Sequence, residues 1–257
     1  MTAPRTALPV LLAAWLALTA MGQAQDSGPY IAPDQVPDGL AILPPPPAPG
    51  SPAARADRAI FTETRKLEGT PRWRIATEDV SNDPLDRYAC ALGMKLGARS
   101  APALTRLLDR AGTGPLVNPV KTHYQARRPY LGTGAAICEP KTPHLAENGD
   151  YPSGHAANGW LEGLILAELV PGRATAILAR ARAYGESRAV CGSHSVSAVQ
   201  AGWMAGTAMF AILGANPGFQ RDLQAARSEL AAIKSGAPHP DQAQCAVEQA
   251  TLAVRAW

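Results

Sequence analysis

The sequence predicts an all-α fold, a single compact helical domain built around a buried central helix pair and preceded by a Pro-rich N-terminal arm. Three observations predict it. Apolar residues recur at helical spacing through most segments after Ser51. No stretch alternates at period two for long enough to build a sheet. The segment 195–213 is almost free of charge and rich in Ala and Gly, the composition of a helix buried on most sides. At 257 residues, with 46% apolar and 18% charged residues, the chain can bury a sizeable core, and one domain plus a leader is the natural count. The net charge of +3 is too small and too dispersed to argue for nucleic acid.

Residues 1–24 read as a signal peptide: Arg5 near the start, an apolar run over 7–21, then Gly22 and Ala24 as small cleavage-site residues. The competing reading, a membrane anchor, is disfavoured because the run is short for a span. Residues 25–50 form the arm, where Pro44 to Pro47 favour extended polyproline conformation lying on the domain. A Pro-rich ligand for a partner domain is the alternative. The helical domain is expected over 51–257.

Within it, Ser51-Pro52 opens a helix to Leu67, stopped by Gly69 and Pro71. Asp83-Pro84 opens another to Leu96, and Ser100 a third with Leu104, Leu107 and Leu108 on one side. Asn118-Pro119 is an N-cap and first-turn pair for a helix that Pro129 ends. On it Lys121 and Arg128 are two turns apart and share a face. After the turn Asn148-Gly149-Asp150, Pro152 disfavours helix at Tyr151, and a central helix runs from Ala156 through Trp160, Leu164 and Leu166 to Leu169. A second spans 174–190, with Gly192 as a left-handed cap, and a third spans 195–213. A membrane span over 195–213 is disfavoured because the neighbouring helix carries Arg180, Arg182 and Glu186. Phe219, Leu223, Leu230 and Ile233 mark a surface helix, and 241–257 a last one.

Export would place Cys90, Cys138, Cys191 and Cys245 in an oxidising compartment as disulfides. Three pairings are open, and sequence cannot choose among them. The expected one joins Cys138 to Cys191, tying two site-bearing segments together, and Cys90 to Cys245, tacking down the C-terminal tail.

Three segments carry chemistry. In Tyr151-Pro152-Ser153-Gly154-His155, a loop turns into a helix whose unpaired N–H groups and positive dipole end favour an anion, while Gly154 allows close approach. Ser153 as a plain N-cap explains that stretch equally well when it is taken alone. Upstream lie Lys121 and Arg128-Pro129; downstream lie Ser187-Arg188 and His194. Each is ordinary by itself, as a solvated basic face or a capping histidine.

Together, Lys-x6-Arg-Pro, Pro-Ser-Gly-His and Ser-Arg-x5-His resemble the three-part signature of the type 2 phosphatidic acid phosphatase superfamily. The flanking Asn148-Gly149-Asp150, Leu166-Ala167-Glu168, Val190-Cys191-Gly192 and Asn216-Pro217 are similar to the class A bacterial non-specific acid phosphatases. The resemblance implies a secreted or periplasmic acid phosphatase acting on small phosphomonoesters. In it His194 attacks phosphorus to form a phosphohistidine, and His155 protonates the leaving alkoxide and then activates water. Lys121, Arg128, Arg188, Ser153 and the Gly154 N–H would bind the phosphoryl oxygens, with no metal or other cofactor, since fixed cations do that work. A protonated His155 implies a mildly acidic optimum. After signal cleavage no membrane association is expected, and the oligomeric state, homo-oligomer included, is left open.

One position departs from the pattern. The family has an aspartate four residues after the second histidine, where this chain has Ala198. Loss of an orienting carboxylate in a serine protease costs roughly 10⁴ in rate. A working but slower phosphatase is the expectation, with Ser195, Ser197, Gln200 or a backbone carbonyl as weak substitutes, and Ala198→Asp raising turnover unless another group fills the role. Two other functions fit the same cradle: a non-catalytic phosphoester binder and a vanadate-dependent haloperoxidase. A zinc site from His123, His155 and His194 is disfavoured because their spacings match no compact ligand motif. His123, His144 and His239 receive no role, and Trp160, Trp203 and Tyr184 are read as core.

Overall fold

A computed structural model describes residues 28–81, 83–233 and 236–257; the expected signal peptide lies outside them. The fold is all-α, with no strand among the described residues. Three long helices form its centre: α9 (Gly154–Leu169), α10 (Ala174–Cys191) and α11 (Val196–Gly214). Both α10 and α11 pack on α9, so the expected pair is a trio. Glycines set the close approach. A Cβ on Gly206 would sit 2.5 Å from the Ala157 carbonyl oxygen, and one on Gly159 2.1 Å from the Tyr184 ring, so larger residues there would push the helices apart. Among the described residues α11 is the one helix long and apolar enough to cross a membrane by composition. Its inner face, Val199, Ala201, Ala205, Met209 and Leu213, is buried in the domain.

Around the trio lie α1 (Gly39–Ile42), α2 (Pro52–Arg65), α3 (Pro71–Glu78), α4 (Pro84–Arg87), α5 (Ala89–Leu92), α6 (Pro102–Arg110), α7 (Gly114–Tyr124), α8 (Pro143–Glu147), α12 (Pro217–Ile233) and α13 (Gln242–Ala253). Ser51, Asp83, Ser153, Ser195 and Asp241 cap helices where the sequence places them, each accepting a first-turn N–H, whereas α1, α3 and α8, capped by Asp38, Thr70 and Thr142, are not among the expected helices. Two expectations need correction. The helix over 83–96 is two short ones, because the chain leaves helical geometry at Tyr88 and turns left-handed at Gly93, φ 71°. The helix carrying Lys121 begins at Gly114, contains Pro119 in its interior, and ends at Tyr124 where Gln125 adopts φ 43°. Arg128 is therefore on the following loop and does not share a helical face with Lys121.

The arm lies on the domain. Tyr30 packs edge-on against Phe219 and donates to Asp222 at 2.7 Å, and Leu43 is buried. Tyr151, next to the Ser-Gly-His stretch, donates its hydroxyl to the Pro44 carbonyl. Both disulfides pair as expected, Cys90 with Cys245 and Cys138 with Cys191.

Beneath α10 runs a buried ionic network. Arg180 holds Asp79 at 2.6 and 3.2 Å, Ser187 donates to the same carboxylate at 2.6 Å, and Arg72 donates to Ser187 at 3.0 Å. Burial pushes the Asp79 carboxyl up, but the Arg180 charge and these hydrogen bonds outweigh it and hold it below its ordinary value. Because Ser187 adjoins Arg188, the network fixes the register of the turn that carries that arginine. Asp79→Asn should strand a buried guanidinium and cost about 3–5 kcal/mol in urea unfolding at pH 7. A loss below about 1 kcal/mol would show that the pair is not structural.

Candidate active site

Five segments meet around one cavity of about 630 Å³. Lys121 comes from the last turn of α7, Arg128 and Glu139 from the loop after it, and Gly154 and His155 from the first turn of α9. Arg188 comes from the end of α10, and His194 from the link to α11. All of these line the cavity. Thus six of the seven expected site residues converge. The seventh, Ser153, is fully buried outside the lining; its Oγ accepts the Ala156 N–H at 3.3 Å and its N–H donates to the Ala198 carbonyl at 2.9 Å. It serves as the cap of α9. A Cβ on Gly154 would meet nothing nearer than Val117 Cγ1 at 4.0 Å, so packing does not require glycine there; its smallness leaves room on the cavity side.

His194 is 3% exposed, and its partners decide its tautomer. Nδ1 faces the Asp150 carbonyl at 2.7 Å and carboxylate Oδ1 at 3.1 Å, both acceptors, so Nδ1 carries the proton. Nε2 faces Arg128 Nη1 at 3.0 Å, a donor, so Nε2 presents its lone pair. Burial, then the charges of Arg128, Lys121 and Arg188, hold the ring well below its ordinary pKa, which keeps it neutral.

Cations surround it. Arg188 is fully buried; Nη2 donates to the Glu139 carboxylate, which also accepts from the Ser193 hydroxyl. Its Nε and Nη1, and Nε of Arg128, have no hydrogen-bond partner among the described residues. Buried guanidinium nitrogens without acceptors are costly, and Nε and Nη1 of Arg188, which point to different sides of the guanidinium, each leave a donor that an anion's oxygen would satisfy. The end of α10 is held for this by Arg65, which donates to the Cys191 carbonyl at 3.0 Å, and by Gly192 at φ 85°. Lys121 donates to the Gly149 carbonyl at 2.7 Å, and Arg128 to those of Asn148 and Ser193 at 2.9 and 2.8 Å. Burial, then the neighbouring Arg128, lowers Lys121 to about 8, so it remains charged at acidic and neutral pH.

A profile of the PAP2 superfamily matches residues 103–218. Over 218 residues the chain is 40% identical to an acid phosphatase of Zymomonas mobilis, covering 82% of this chain and 83% of that one. The chain belongs to the non-specific acid phosphatases of the PAP2 superfamily. Non-specific acid phosphatases of Providencia stuartii and Salmonella typhimurium are 35% and 34% identical to it, each aligned over 80% of this chain and 86% of its own length. The phosphatase is accordingly a phosphoric monoester hydrolase, and the cavity just described is its candidate active site.

Several groups in this phosphatase escaped the sequence reading. The sequence places Asp150 in a turn and in a stretch that resembles the family, without a role of its own, and marks nothing at Glu139. Tyr184, taken as core, is buried and also forms cavity wall together with His144 and Glu162. Glu162 accepts from Arg87 at 2.6 Å, and the Arg87 guanidinium lies 3.6 Å from the centroid of the Tyr184 ring. Of the substitutes considered for the missing aspartate, Ser195 donates to Asp150 Oδ2 at 2.6 Å, the Ser197 N–H bonds Asp57, and Gln200 is exposed; the backbone carbonyl at the imidazole is that of Asp150.

Proposed function

We propose that this acid phosphatase hydrolyses small phosphomonoesters through a phosphohistidine. The observation that carries the reading is a neutral imidazole in the cavity lining, unprotonated at Nε2 where Arg128 donates to it, in the same cavity as an Arg188 guanidinium with Nε and Nη1 unpartnered. Nε2 of His194 attacks phosphorus while the ester P–O bond breaks and His155 gives its proton to the departing alkoxide. Arg188, Arg128, Lys121 and the N–H groups at the start of α9 take up the charge on the equatorial oxygens. In the second step His155, now neutral, accepts a proton from water as the water attacks phosphorus and the P–N bond breaks, releasing phosphate. Export is part of the proposal: the leader-like segment 1–24 and two disulfides fit an oxidising compartment.

Mixing the protein with excess p-nitrophenyl phosphate and quenching in alkaline denaturant, where P–N bonds survive, should yield a mass increase of one phosphoryl group on the peptide carrying His194. Turnover without that label, or with it on another residue, would refute the assignment.

A further inference from the structure

Residues 148–150 act as the organiser of the cavity. Three successive carbonyls there bind three site residues: Asn148 accepts from Arg128, Gly149 from Lys121, and Asp150 from His194 Nδ1. The segment is itself anchored by the Asp150 N–H, which donates to the Ala126 carbonyl at 2.7 Å. At its end the Asp150 carboxylate, 6% exposed, has three donors: His194 Nδ1 at 3.1 Å, the Ser195 N–H at 3.0 Å and the Ser195 hydroxyl at 2.6 Å. Since Ser195 is the cap of α11, that carboxylate joins the imidazole, the start of α11 and the chain leading into α9.

Position 198, where the resemblance expects the orienting aspartate, lies against the same stretch. The Ala198 carbonyl accepts the Ser153 N–H at 2.9 Å, its N–H donates to Ser195 Oγ at 3.2 Å, and the residue is fully buried. Positions 150 and 198 thus lie on segments joined through Ser153 and Ser195; the resemblance puts the orienting carboxylate at 198, whereas here the carboxylate at Nδ1–H is that of Asp150.

We propose that Asp150 is the positioning residue for His194, supplying from the segment before α9 the carboxylate that Ala198 lacks on α11. This rests on His194 being the nucleophile. Asp150 fixes the tautomer through its carbonyl and carboxylate together; burial raises its carboxyl to about 6, and above that value its negative charge offsets the positive charge that builds on the ring as Nε2 bonds to phosphorus. The phosphatase is then complete in its orienting group, and the rate penalty expected from Ala198 does not arise.

The test uses Asp150→Asn, which keeps the side-chain volume and an oxygen to accept from Ser195, so that folding is preserved. Because the main-chain carbonyl still holds Nδ1–H, the expected loss in kcat is below the roughly 10⁴ of a triad aspartate, about 10²–10³, with KM changed less than threefold. The phosphohistidine burst should slow by the same factor. Adding Ala198→Asp to this variant should recover at least tenfold in kcat, whereas Ala198→Asp alone, which sets two buried carboxylates at one imidazole, should lower it. The ¹⁵N spectrum of His194 should report Nδ1–H in both the wild type and Asp150→Asn, because the main-chain carbonyl and Arg128 still hold that tautomer, so that the loss in kcat is assigned to the missing charge.

A burst within threefold of wild type in folded Asp150→Asn, with the label still on His194, overturns the positioning role alone. A gain in turnover from Ala198→Asp in the wild-type background also overturns it, since the orienting site would then be unfilled. Absence of label on His194 in the wild type removes the nucleophile assignment and the proposal with it.

Discussion

Replacing His194 with alanine is expected to lower kcat by about 10⁶, the scale seen when an enzyme that works by covalent catalysis loses its nucleophile. Binding should survive. Arg188, Lys121 and Arg128 reach the cavity from three different segments, and their positions depend on Glu139, Gly149 and Asn148 rather than on the imidazole. Alanine also releases Arg128 Nη1 from Nε2, freeing one more donor for an oxygen. Inorganic phosphate should therefore inhibit or bind the variant within about tenfold of its wild-type affinity, measured by calorimetry, while p-nitrophenyl phosphate turnover vanishes. This pairing separates a phosphatase from a phosphoester binder: in the latter the wild type itself would turn over no faster than the variant. Retention of more than about 1% of kcat in the variant would mean that water attacks phosphorus directly and that His194 only binds.

The parts of this site that were legible in the sequence are those whose chemistry is local. Pro152, the Ser153 cap and the apolar period behind it place Gly154 and His155 at a helix start without any knowledge of the fold, and Gly192 likewise ends α10 next to Arg188. Where local signals compete, they mislead. Asn118-Pro119 has the form of a helix start, yet Pro119 is tolerated inside α7 because Leu116, Val117 and Val120 are buried around it and outweigh one lost hydrogen bond. A left-handed turn at Gln125, with no glycine to announce it, then moves Arg128 off the helix. What sequence could not reveal depends on long-range contacts. Asp150 meets an imidazole 44 positions away, and Glu139 meets a guanidinium 49 away. Nothing in Asn148-Gly149-Asp150 distinguishes an aspartate that makes a turn from one that also grips a nucleophile.

His155 should show a loss that depends on the leaving group. Burial, and then the charges of Arg188, Arg87, Arg128 and Lys121, lower it to about 3, so between that value and neutrality it is unprotonated in the free protein. A general acid nevertheless has to hold a proton when the ester bond breaks. The substrate can bring it, because a phosphomonoester loses its second proton near pH 6, with a pKa of about 6. A monoanion entering beside neutral His155 carries the same protons as a dianion beside imidazolium, and the surrounding cations favour the second arrangement once phosphate is bound. The sign follows. Below pH of about 6 the proton arrives with the substrate, and above it kcat/KM should fall about tenfold per unit, tracking the ionisation of the substrate rather than of the free histidine. The acidic optimum expected from a protonated His155 thus has a different origin. In His155→Asn the phosphorylation burst should slow about 10²–10⁴-fold for an alkyl phosphate, whose alkoxide cannot leave unprotonated, and less than about tenfold for p-nitrophenyl phosphate, whose phenolate can. Reading the burst rather than steady-state turnover keeps the second step, where His155 serves as base, from masking the contrast. Equal losses for the two esters would move the acid role to another group, with Glu162, which burial raises to about 7 in the same cavity wall, the next to examine.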